Sequence, residues 1–451
     1  MRMKRFRHLF VWLLASAALL PASAQRHARS EYDPTLYLIS VHEVDTFMMD
    51  CGARQEAALK NRMAAEGAIR DHEQTWRKGY HQPEKPQFIF ASKNNRFSLA
   101  LGGAIELRTS YDFDGLINSN DFIPAQIPMS SDYNTAQQVM MDATASSLYL
   151  KAISNTRWGR VTVFVQGDFR GGSELSYTPH LRSAYVNFAG FTAGRDYTTF
   201  CDLEAVAPRV DYQGPNAYNS RYATMLRYEH AFWRDILRVG VAAEMPQVSA
   251  TYGNHFAPLK QRMPDFPVYA QVAWGENRAS HLRASAVFRN LYAHNLLTGN
   301  NTSLFGWGVQ GSGHIRVIPM LDLYMSGVYG KGITPYISDL NGSGLDFMPD
   351  PDSPTSLTPP AMYGWQGAAQ IHLFSDWLTL SGGYSTAVVR KSGGILSPNQ
   401  YREGQYIFGN LFCHVTPRMT LAVEYLYGSR ENMDGATNHA NRASLMIKYT
   451  F

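Results

Sequence analysis

The sequence predicts an all-β fold, an antiparallel transmembrane β-barrel of about 16 strands preceded by a short N-terminal helical periplasmic segment. Segments of about ten residues alternate apolar and polar side chains with the period of two that a β-strand requires. Short turns and long loops alternate between consecutive segments. Residues 441–451 alternate strictly and end on Phe451. An ordinary amphipathic edge strand would alternate in the same way, so the prediction depends on the whole pattern.

Residues 1–24 predict a cleaved secretory signal peptide. Basic residues precede an apolar run at residues 9–20, and Ala22-Ser23-Ala24 follows it. Cleavage is expected before Gln25. The apolar run is too short to span a membrane, and no cysteine follows it closely, so an exported chain without a lipid anchor is expected.

The overall charge does not indicate a nucleic-acid partner. The formal net charge is +4 for 451 residues, and four of the basic residues lie in the signal peptide, which leaves a nearly neutral mature chain. No later stretch of about 18 apolar residues is present, so strands must provide any membrane-spanning structure.

The three cysteines, Cys51, Cys201 and Cys413, are far apart in the sequence. Their spacing fits neither a zinc site nor a redox motif, and an odd number argues against a disulfide framework. We predict free thiols, with one long-range disulfide as the alternative, and we expect no metal and no cofactor.

Residues 25–95 differ from the rest of the chain. Residues 51–78 are rich in helix-forming side chains, and Pro83 and Pro86 then interrupt the helix. The apolar positions are too irregular to assign a coiled coil. We predict a helical periplasmic segment, with a solvated, partly disordered linker as the alternative, and a barrel domain over residues 96–451.

The barrel strands begin at Phe97, where the alternation is cleanest. Candidate strands lie at 97–111, 146–154, 161–170, 180–188, 191–199, 221–230, 236–245, 266–274, 281–290, 306–317, 321–330, 362–374, 377–389, 404–415, 420–428 and 441–451. An even number of strands puts both barrel ends on the short-turn side, so the helical segment is expected in the periplasm and the long loops outside. Closing the sheet removes exposed edges and satisfies the backbone in lipid.

The alternation also assigns charged side chains to the lumen, because an arginine facing lipid at the bilayer midplane costs about 2–4 kcal/mol. The predicted inward residues are Arg108, Lys151, Arg182, Arg227, Arg238, Arg283, Arg289 and Arg316. Strict alternation turns Arg195 outward, but its charge and the neighbouring Asp196 favour the lumen, which a β-bulge would allow. We therefore predict that Arg195 also lines the pore.

A set of inward basic side chains would favour anions in a water-filled channel. The alternative is that these residues only pair with wall carboxylates and hold the barrel together. The candidate partners are Glu106, Asp168, Glu229 and Glu244. For the set as a whole we expect a net positive constriction.

The connection after the fifth strand, residues 199–220, carries Asp202, Glu204 and Asp211. If this loop folds into the barrel, its carboxylates would face the basic wall and create a transverse field across the narrowest point. The alternative is a surface loop.

Five segments resemble the DcaP-like outer-membrane porins. They are RFSLALGG at 96–103, VFVQGDF at 163–169, LRSAY at 181–185, AGRDYTTF at 193–200 and GPN at 214–216. The resemblance covers about residues 96–229 and implies a sixteen-stranded trimeric barrel with a preceding helical segment, in which the loop after the fifth strand narrows the lumen. It also implies uptake of small anions such as dicarboxylates. The family's Gly-Gln-x-Trp reads Gly194-Arg195-Asp196-Tyr197 here, and Cys201 replaces a Met.

These observations predict a passive diffusion channel for small hydrophilic solutes in the bacterial outer membrane, and not an enzyme. The expected partners are lipid, anionic solutes, two further copies in a homotrimer, and the barrel-assembly machinery, which would bind the strand ending in Phe451. One alternative is a receptor or adhesin that acts through long loops such as residues 336–360. A less favoured one is a barrel hydrolase using Ser312 and His314.

Overall fold

The computed structural model describes residues 67–72, 88–91, 96–113, 120–130, 133, 137–173, 175–374, 377–390 and 399–451. The predicted signal peptide, most of the predicted helical segment and Cys51 lie outside these residues. Within them, residues 67–72 are helical. No helix in this part of the chain is long and apolar enough to cross a membrane.

The strands, numbered in chain order, follow. They are β1 (Phe88–Ala91), β2 (Phe97–Asp112), β3 (Gln138–Asp142), β4 (Ser147–Thr156), β5 (Gly159–Asp168), β6 (His180–Phe188), β7 (Phe191–Tyr197), β8 (Tyr222–Phe232), β9 (Leu237–Glu244), β10 (Phe256–Pro258) and β11 (Phe266–Trp274). The remaining strands are β12 (Ser280–Asn295), β13 (Asn301–Ile318), β14 (Leu321–Lys331), β15 (Met348–Asp350), β16 (Ser353–Thr358), β17 (Ala361–Leu373), β18 (Leu378–Val389), β19 (Tyr401–His414), β20 (Met419–Asn432) and β21 (Thr437–Thr450).

These strands form a closed antiparallel barrel of 16 strands, as predicted. β3 and β4 together make the second barrel strand, since both pair with β2. The barrel closes where β2 pairs with β21, from Ala104 opposite Thr450 to Asp112 opposite Arg442. β1 pairs with residues 98–101 of β2, beyond the short-turn end of this seam, and β10 pairs with residues 293–295 of β12. β15 and β16 form a separate hairpin.

Side chains on successive residues alternate between lipid and lumen. On β4, Leu148 and Leu150 are about half exposed on the outer face, whereas Tyr149 and Lys151 are buried on the inner face. Exposed aromatic side chains collect where the short turns join the strands. They are Trp158, Phe188, Phe191, Trp233, Trp274, Phe374 and Trp377. This girdle marks one membrane boundary.

Three long connections fold inward and fill much of the barrel. We name residues 120–130 loop L1, residues 198–221 loop L3 and residues 332–360 loop L6. Phe200 of L3, Ile333 and Tyr336 of L6, and Val287 and Met362 of the wall belong to one buried apolar cluster. The core of the molecule therefore lies inside the barrel, between the loops and the wall.

Two predicted loops are shorter than expected because their strands extend beyond the membrane-spanning part. β12 and β13 continue pairing to His294 opposite Asn301, and β20 and β21 to Glu431 opposite Thr437. Most of the other predicted strands agree with the observed ones within a few residues at each end.

Two neighbouring residues on opposite faces of β13 can test which face of the wall contacts lipid. Val309 faces outward and is 46 % exposed, and the next residue, Gln310, faces inward. We expect Val309→Arg to cost about 2–4 kcal/mol and to lower the yield of folded, heat-modifiable barrel, because it places a charge in lipid. Gln310→Arg is the matched control and should fold. Equal yields of the two variants would contradict the assigned faces.

Candidate functional site in the barrel lumen

Loop L3 leaves β7 and crosses the lumen. The Ser312 hydroxyl on β13 donates to the Asp202 carboxylate at 2.6 Å. Further along the loop, Gln366 on β17 donates to the Ala205 carbonyl at 3.0 Å. L3 therefore lies against the wall opposite its own strands and narrows the barrel.

Glu424 on β20 holds the tip of L3. Its carboxylate accepts the backbone N–H groups of Val210 at 3.0 Å and Asp211 at 2.7 Å. Asn410 on β19 donates to Glu424 at 3.0 Å and to the Pro208 carbonyl at 2.9 Å. A buried carboxylate needs several donors, and here the loop backbone provides two of them.

Asp202 anchors the first part of L3. Burial disfavours its charged form, but the hydrogen bond and charge of His281, the charge of Arg283 and the hydrogen bond from Ser312 outweigh burial and lower the pKa of Asp202 to about 2. The side chain is only 3 % exposed. Asp202 is thus an ionised carboxylate that binds L3 to β12 and β13.

The other two acidic residues of L3 differ from each other. Asp211 is buried and accepts the backbone N–H groups of Phe122 in L1 and Gly214 in L3, and burial raises its pKa. Glu204 keeps 31 % of its side chain exposed. The expectation that all three face a basic wall across a water-filled eyelet is wrong for Asp202 and Asp211, because both carboxylates are buried and anchor the loop.

Asp339 of L6 joins all three loops, a role that no sequence pattern indicated. Its carboxylate accepts from the Ala125 N–H in L1 at 3.2 Å, the Asn216 amide in L3 at 3.3 Å and the Tyr401 hydroxyl on β19 at 2.8 Å. Burial raises the pKa of Asp339 to about 6. Much of L6, the loop considered for a receptor role, is therefore packed inside the barrel mouth.

Three arginines surround the ring of Tyr212 at the L3 tip. The guanidinium carbons of Arg108, Arg170 and Arg182 lie 5.3, 4.2 and 5.6 Å from the ring centroid. Arg108 and Arg182 were predicted from alternation. Arg170 was missed because it follows the end of β5, where alternation gives no information.

These three charges are compensated by carboxylates. The pairs are Arg108 with Glu106 at 2.8 Å, Arg170 with Asp121 at 2.5 Å, and Arg182 with Asp168 at 3.6 Å. Arg227 likewise pairs with Asp196 at 2.8 Å and Glu229 at 3.1 Å. On this side of the lumen the structure matches the alternative interpretation, in which the arginines pair with acidic side chains and stabilise the wall.

Arg289 is not a pore-lining residue. Its side chain is fully buried between Asp265 at 3.1 Å and Asp346 of L6 at 2.9 Å. Alternation assigned it correctly to the inner face, but loop residues cover that part of the wall. A side chain without solvent contact cannot line a water-filled channel, so the prediction for Arg289 is wrong.

Arg195 does not face the lumen. It pairs with Ala184 on β6 and Thr224 on β8, and the residues two positions along those strands, Val186 and Leu226, are 44 % and 56 % exposed. Pairing is continuous through β7, so no bulge moves Arg195 to the other face. The predicted lumen position is wrong.

Three further predicted residues lie toward the short-turn end of the barrel. Arg238 pairs with Asp235 of a turn, and Arg316 pairs with Asp322 at 2.8 Å. Lys151 faces inward, but its ammonium donates to the carbonyl of His72 in the N-terminal helix at 3.4 Å and is buried.

Arg283 remains available in the lumen. Its guanidinium lies 3.6 Å from the ring centroid of Tyr269, and it donates to the Ser285 hydroxyl at 3.2 Å and to the Thr199 carbonyl of L3. Its side chain is partly exposed. Among the described residues no carboxylate forms an ion pair with Arg283.

The residues considered for hydrolysis do not form a nucleophile–base pair. The Ser312 hydroxyl donates to Asp202, and the His314 imidazole lies 3.4 Å from Asp322. Cys201 and Cys413 are free thiols. In the described part of the chain, no group of three or more His, Cys, Asp or Glu residues is arranged to hold a metal ion.

Comparisons with solved structures identify the architecture. The outer membrane channel DcaP of Acinetobacter baumannii superposes with a TM-score of 0.70 at 18 % identity, over 80 % of this chain and 99 % of that one. The chain has the fold of an outer-membrane porin. The anion-selective porin from Comamonas acidovorans matches with a TM-score of 0.51 at 10 % identity, over 79 % of this chain and 100 % of that one. No protein-family model and no curated protein matches this sequence.

Docking of the three loops of this porin fold is expected to depend on pH through Asp339. A carboxyl group whose pKa is raised by burial stabilises the buried state as the pH falls, here from about 6 towards the ordinary value of 3.8. Asp339→Asn removes the charge, and the new amide can donate to the Tyr401 hydroxyl. We expect this variant to raise the temperature of heat-induced unfolding at neutral pH and to reduce its change between neutral pH and pH 5.

Asp352→Asn, at an exposed position of the same loop, is the matched control and should behave as the wild type. Gel mobility after heating in detergent measures both effects. A wild-type pH response in the Asp339 variant would contradict the role of this carboxyl group.

Proposed function

We propose that the protein is an outer-membrane porin, a water-filled channel through which small hydrophilic solutes diffuse, with a preference for anions. The barrel fold and the apolar outer wall support a membrane channel. The partly exposed, unpaired charge of Arg283 on the inner wall supports anion preference, and it is the observation on which that preference depends. Dicarboxylates are proposed from the family resemblance and from the pairing of a guanidinium with carboxylate oxygens.

Arg283 has the setting of a selectivity residue. Stacking on Tyr269 and the hydrogen bond to L3 fix its guanidinium while leaving part of it in water. Its neighbours on β12 and β13, among them Ser285 and Gln310, are neutral. The nearest carboxylates, Asp202 of L3 and Glu229 beside Tyr269, are each held by other groups. A fixed positive charge on the wall of a narrow channel attracts anions and repels cations. The structural neighbour from Comamonas acidovorans is an anion-selective porin, which is consistent with this proposal.

The proposed biogenesis follows the sequence predictions. The signal peptide, residues 1–24, would direct export and be removed, residues 25–95 would form the periplasmic segment, and residues 96–451 the barrel. The C-terminal strand, ending in Phe451, would be bound by the barrel-assembly machinery during insertion into the outer membrane.

Arg195 supports assembly into a homotrimer. Arg195 donates to the Leu181 carbonyl at 3.0 Å, which leaves other N–H groups of its guanidinium on an outer face where a charge in lipid at the midplane costs about 2–4 kcal/mol. A protein neighbour can provide the remaining polar partners. β6 and β7 have only 9 and 7 residues, so the barrel wall is shorter where Arg195 lies than elsewhere. We propose that a second copy covers this face.

The selectivity proposal is tested with Arg283→Gln in planar bilayers. The reversal potential under a salt gradient should shift toward cations, because the unpaired positive charge is lost, while single-channel conductance persists. Arg238→Gln is the matched control, since Arg238 is on the same face but 46 % exposed beside Asp235 at the rim. Equal reversal potentials for wild type and Arg283→Gln would reject the assignment.

The assembly proposal is tested with Arg195→Glu. We expect this reversal of charge to convert the trimer to monomers on semi-native gels and in analytical ultracentrifugation, while each monomer remains heat-modifiable. Arg262→Glu, in an exposed outer loop, should leave the oligomer unchanged. A trimeric Arg195→Glu variant would place the subunit interface elsewhere.

A further inference from the structure

A groove of about 820 Å³ crosses the outer wall of the barrel. β11, β12, β13, β14 and β17 each contribute two outward-facing residues and the backbone between them. The side chains of the intervening residues, such as Ser285 and Val328, are buried on the inner face. The groove therefore opens to lipid and not to the lumen.

Small residues that lie side by side form the floor of this groove. Ala270 pairs with Ala284, and Ala284 pairs with Gly311. Gly311 pairs in turn with Gly327. A Cβ added at Gly311 would meet nothing within 4 Å, and one added at Gly327 would meet the Cβ of Trp365 at 3.9 Å. No side chain of the wall fills the space above the floor.

Aromatic side chains border the groove toward the long-loop end of the strands. Tyr329 and Trp365 are 37 % and 48 % exposed on the outer face. The Trp307 ring packs edge to face on Tyr329, with the centroids 5.7 Å apart. Aromatic side chains in such positions mark a membrane boundary, so the groove begins just inside the hydrocarbon layer.

Two cations flank the groove at this boundary. Lys331 follows Tyr329 by two residues on β14, and the Arg390 guanidinium lies 6.0 Å from the ring centroid of Tyr363 on β17. Lys331 pairs with Ala361, and the Arg390 N–H donates to the Ala361 carbonyl. Neighbouring strands are about 4.8 Å apart, so the two cationic residues are about 10 Å apart across a small side chain.

Both cations are available to a ligand. Lys331 and Arg390 are exposed, and neither forms an ion pair within the described part of the chain. Glu403 on the neighbouring β19 accepts from the Thr386 hydroxyl at 3.3 Å. Basic side chains at the edge of a membrane attract the anionic headgroups of lipids. The chemistry of this end of the groove therefore favours a phosphate.

The dimensions fit a lipid whose headgroup lies at the two cations. From Lys331 to Gly327, β14 extends about 13 Å, which is a depth of about 10 Å for a strand tilted by about 40°. One leaflet contributes about 15 Å of hydrocarbon, half of the usual thickness. An acyl chain can therefore lie along the groove below a phosphate at the boundary.

A second copy of the chain is a less suitable occupant. The face assigned above to a neighbouring subunit carries Arg195 on β7. In the barrel, β8, β9, β11, β12 and β13 separate that strand from β14. The cations and the groove thus belong to a part of the wall that remains in contact with lipid.

We propose that the groove binds a phosphate-bearing lipid of the leaflet on the long-loop side. Lys331 and Arg390 hold the phosphate, and one acyl chain packs on Ala284, Gly311 and Gly327. This site lies outside the pore and goes beyond the proposed channel function, because lipid binding does not require conduction.

The headgroup half of the proposal is tested by native mass spectrometry of the folded protein in a neutral detergent. The probes are dilauroyl phosphatidic acid, which has a phosphate monoester, and dilauroyl phosphatidylcholine, which has the same chains and no net charge. The wild type should retain phosphatidic acid in preference. Lys331→Gln and Arg390→Gln should each weaken its binding by up to about fivefold, the value of one exposed ion pair. Arg157→Gln, at the short-turn boundary beside Trp158, is the control and should bind as the wild type.

The acyl-chain half is tested by filling the groove. Gly311→Leu combined with Gly327→Leu places side chains in open space, so the barrel should fold and remain heat-modifiable. This variant should lose most of its binding of both lipids. Gly409→Leu is the matched control, since a Cβ added there also meets nothing within 4 Å but Gly409 lies outside the groove.

Each result decides one part of the proposal. Equal retention of the two lipids by the wild type would overturn the phosphate site. Undiminished binding of phosphatidic acid in the double leucine variant would overturn the groove. Loss of the oligomer in that variant, with lipid binding unchanged, would instead assign the groove to a second copy of the chain. The glutamine variants change only exposed side chains, so they test the site even if the leucine variant fails to fold. Silent bilayers from protein that binds phosphatidic acid would reject the channel and leave the lipid site intact.

Discussion

The structure depends on satisfying every backbone hydrogen bond of a sheet that is surrounded by lipid. The pairing of β2 with β21 does this, because it joins the two edges that sixteen strands would otherwise expose. Closure of the barrel also determines which face of the wall can carry polar side chains. The outer face must be apolar along almost its entire height, so nearly every charged side chain of the wall turns inward.

A barrel of sixteen strands is too wide for wall side chains to fill, and in this protein the long loops occupy the interior. Buried carboxylates hold them there. Asp202, Glu424 and Asp339 each accept hydrogen bonds that connect a loop to the wall or to another loop. The loops in turn determine which inward charges reach water. Arg289 is covered, whereas Arg283 keeps a solvated edge.

The sequence predicted the strands, the closed barrel and the face of most wall residues, because alternation is a local property that lipid imposes on every strand. It failed where non-local packing decides. Covering of Arg289 by L6 and the inward anchoring of Asp211 depend on contacts between segments distant in the chain. Arg195 was misassigned because the cost of a charge in lipid was given more weight than continuous alternation. Arg170 and Asp339 lie outside the strands, where no periodicity reveals them.

β1 has a consequence for the register of the barrel seam. On the edge of β2 that faces β21, residues 104–112 pair with β21, Gly103 exchanges backbone hydrogen bonds with Phe451, and residues 98–101 pair with β1. β1 is joined to β2 by a short connection, so this hairpin closes at a small entropic cost. A shift of β21 toward the short-turn end would collide with β1. The N-terminal hairpin is thus a steric stop for the C-terminal strand, and it protects the closing barrel from a one-residue slip that would exchange its lipid and lumen faces.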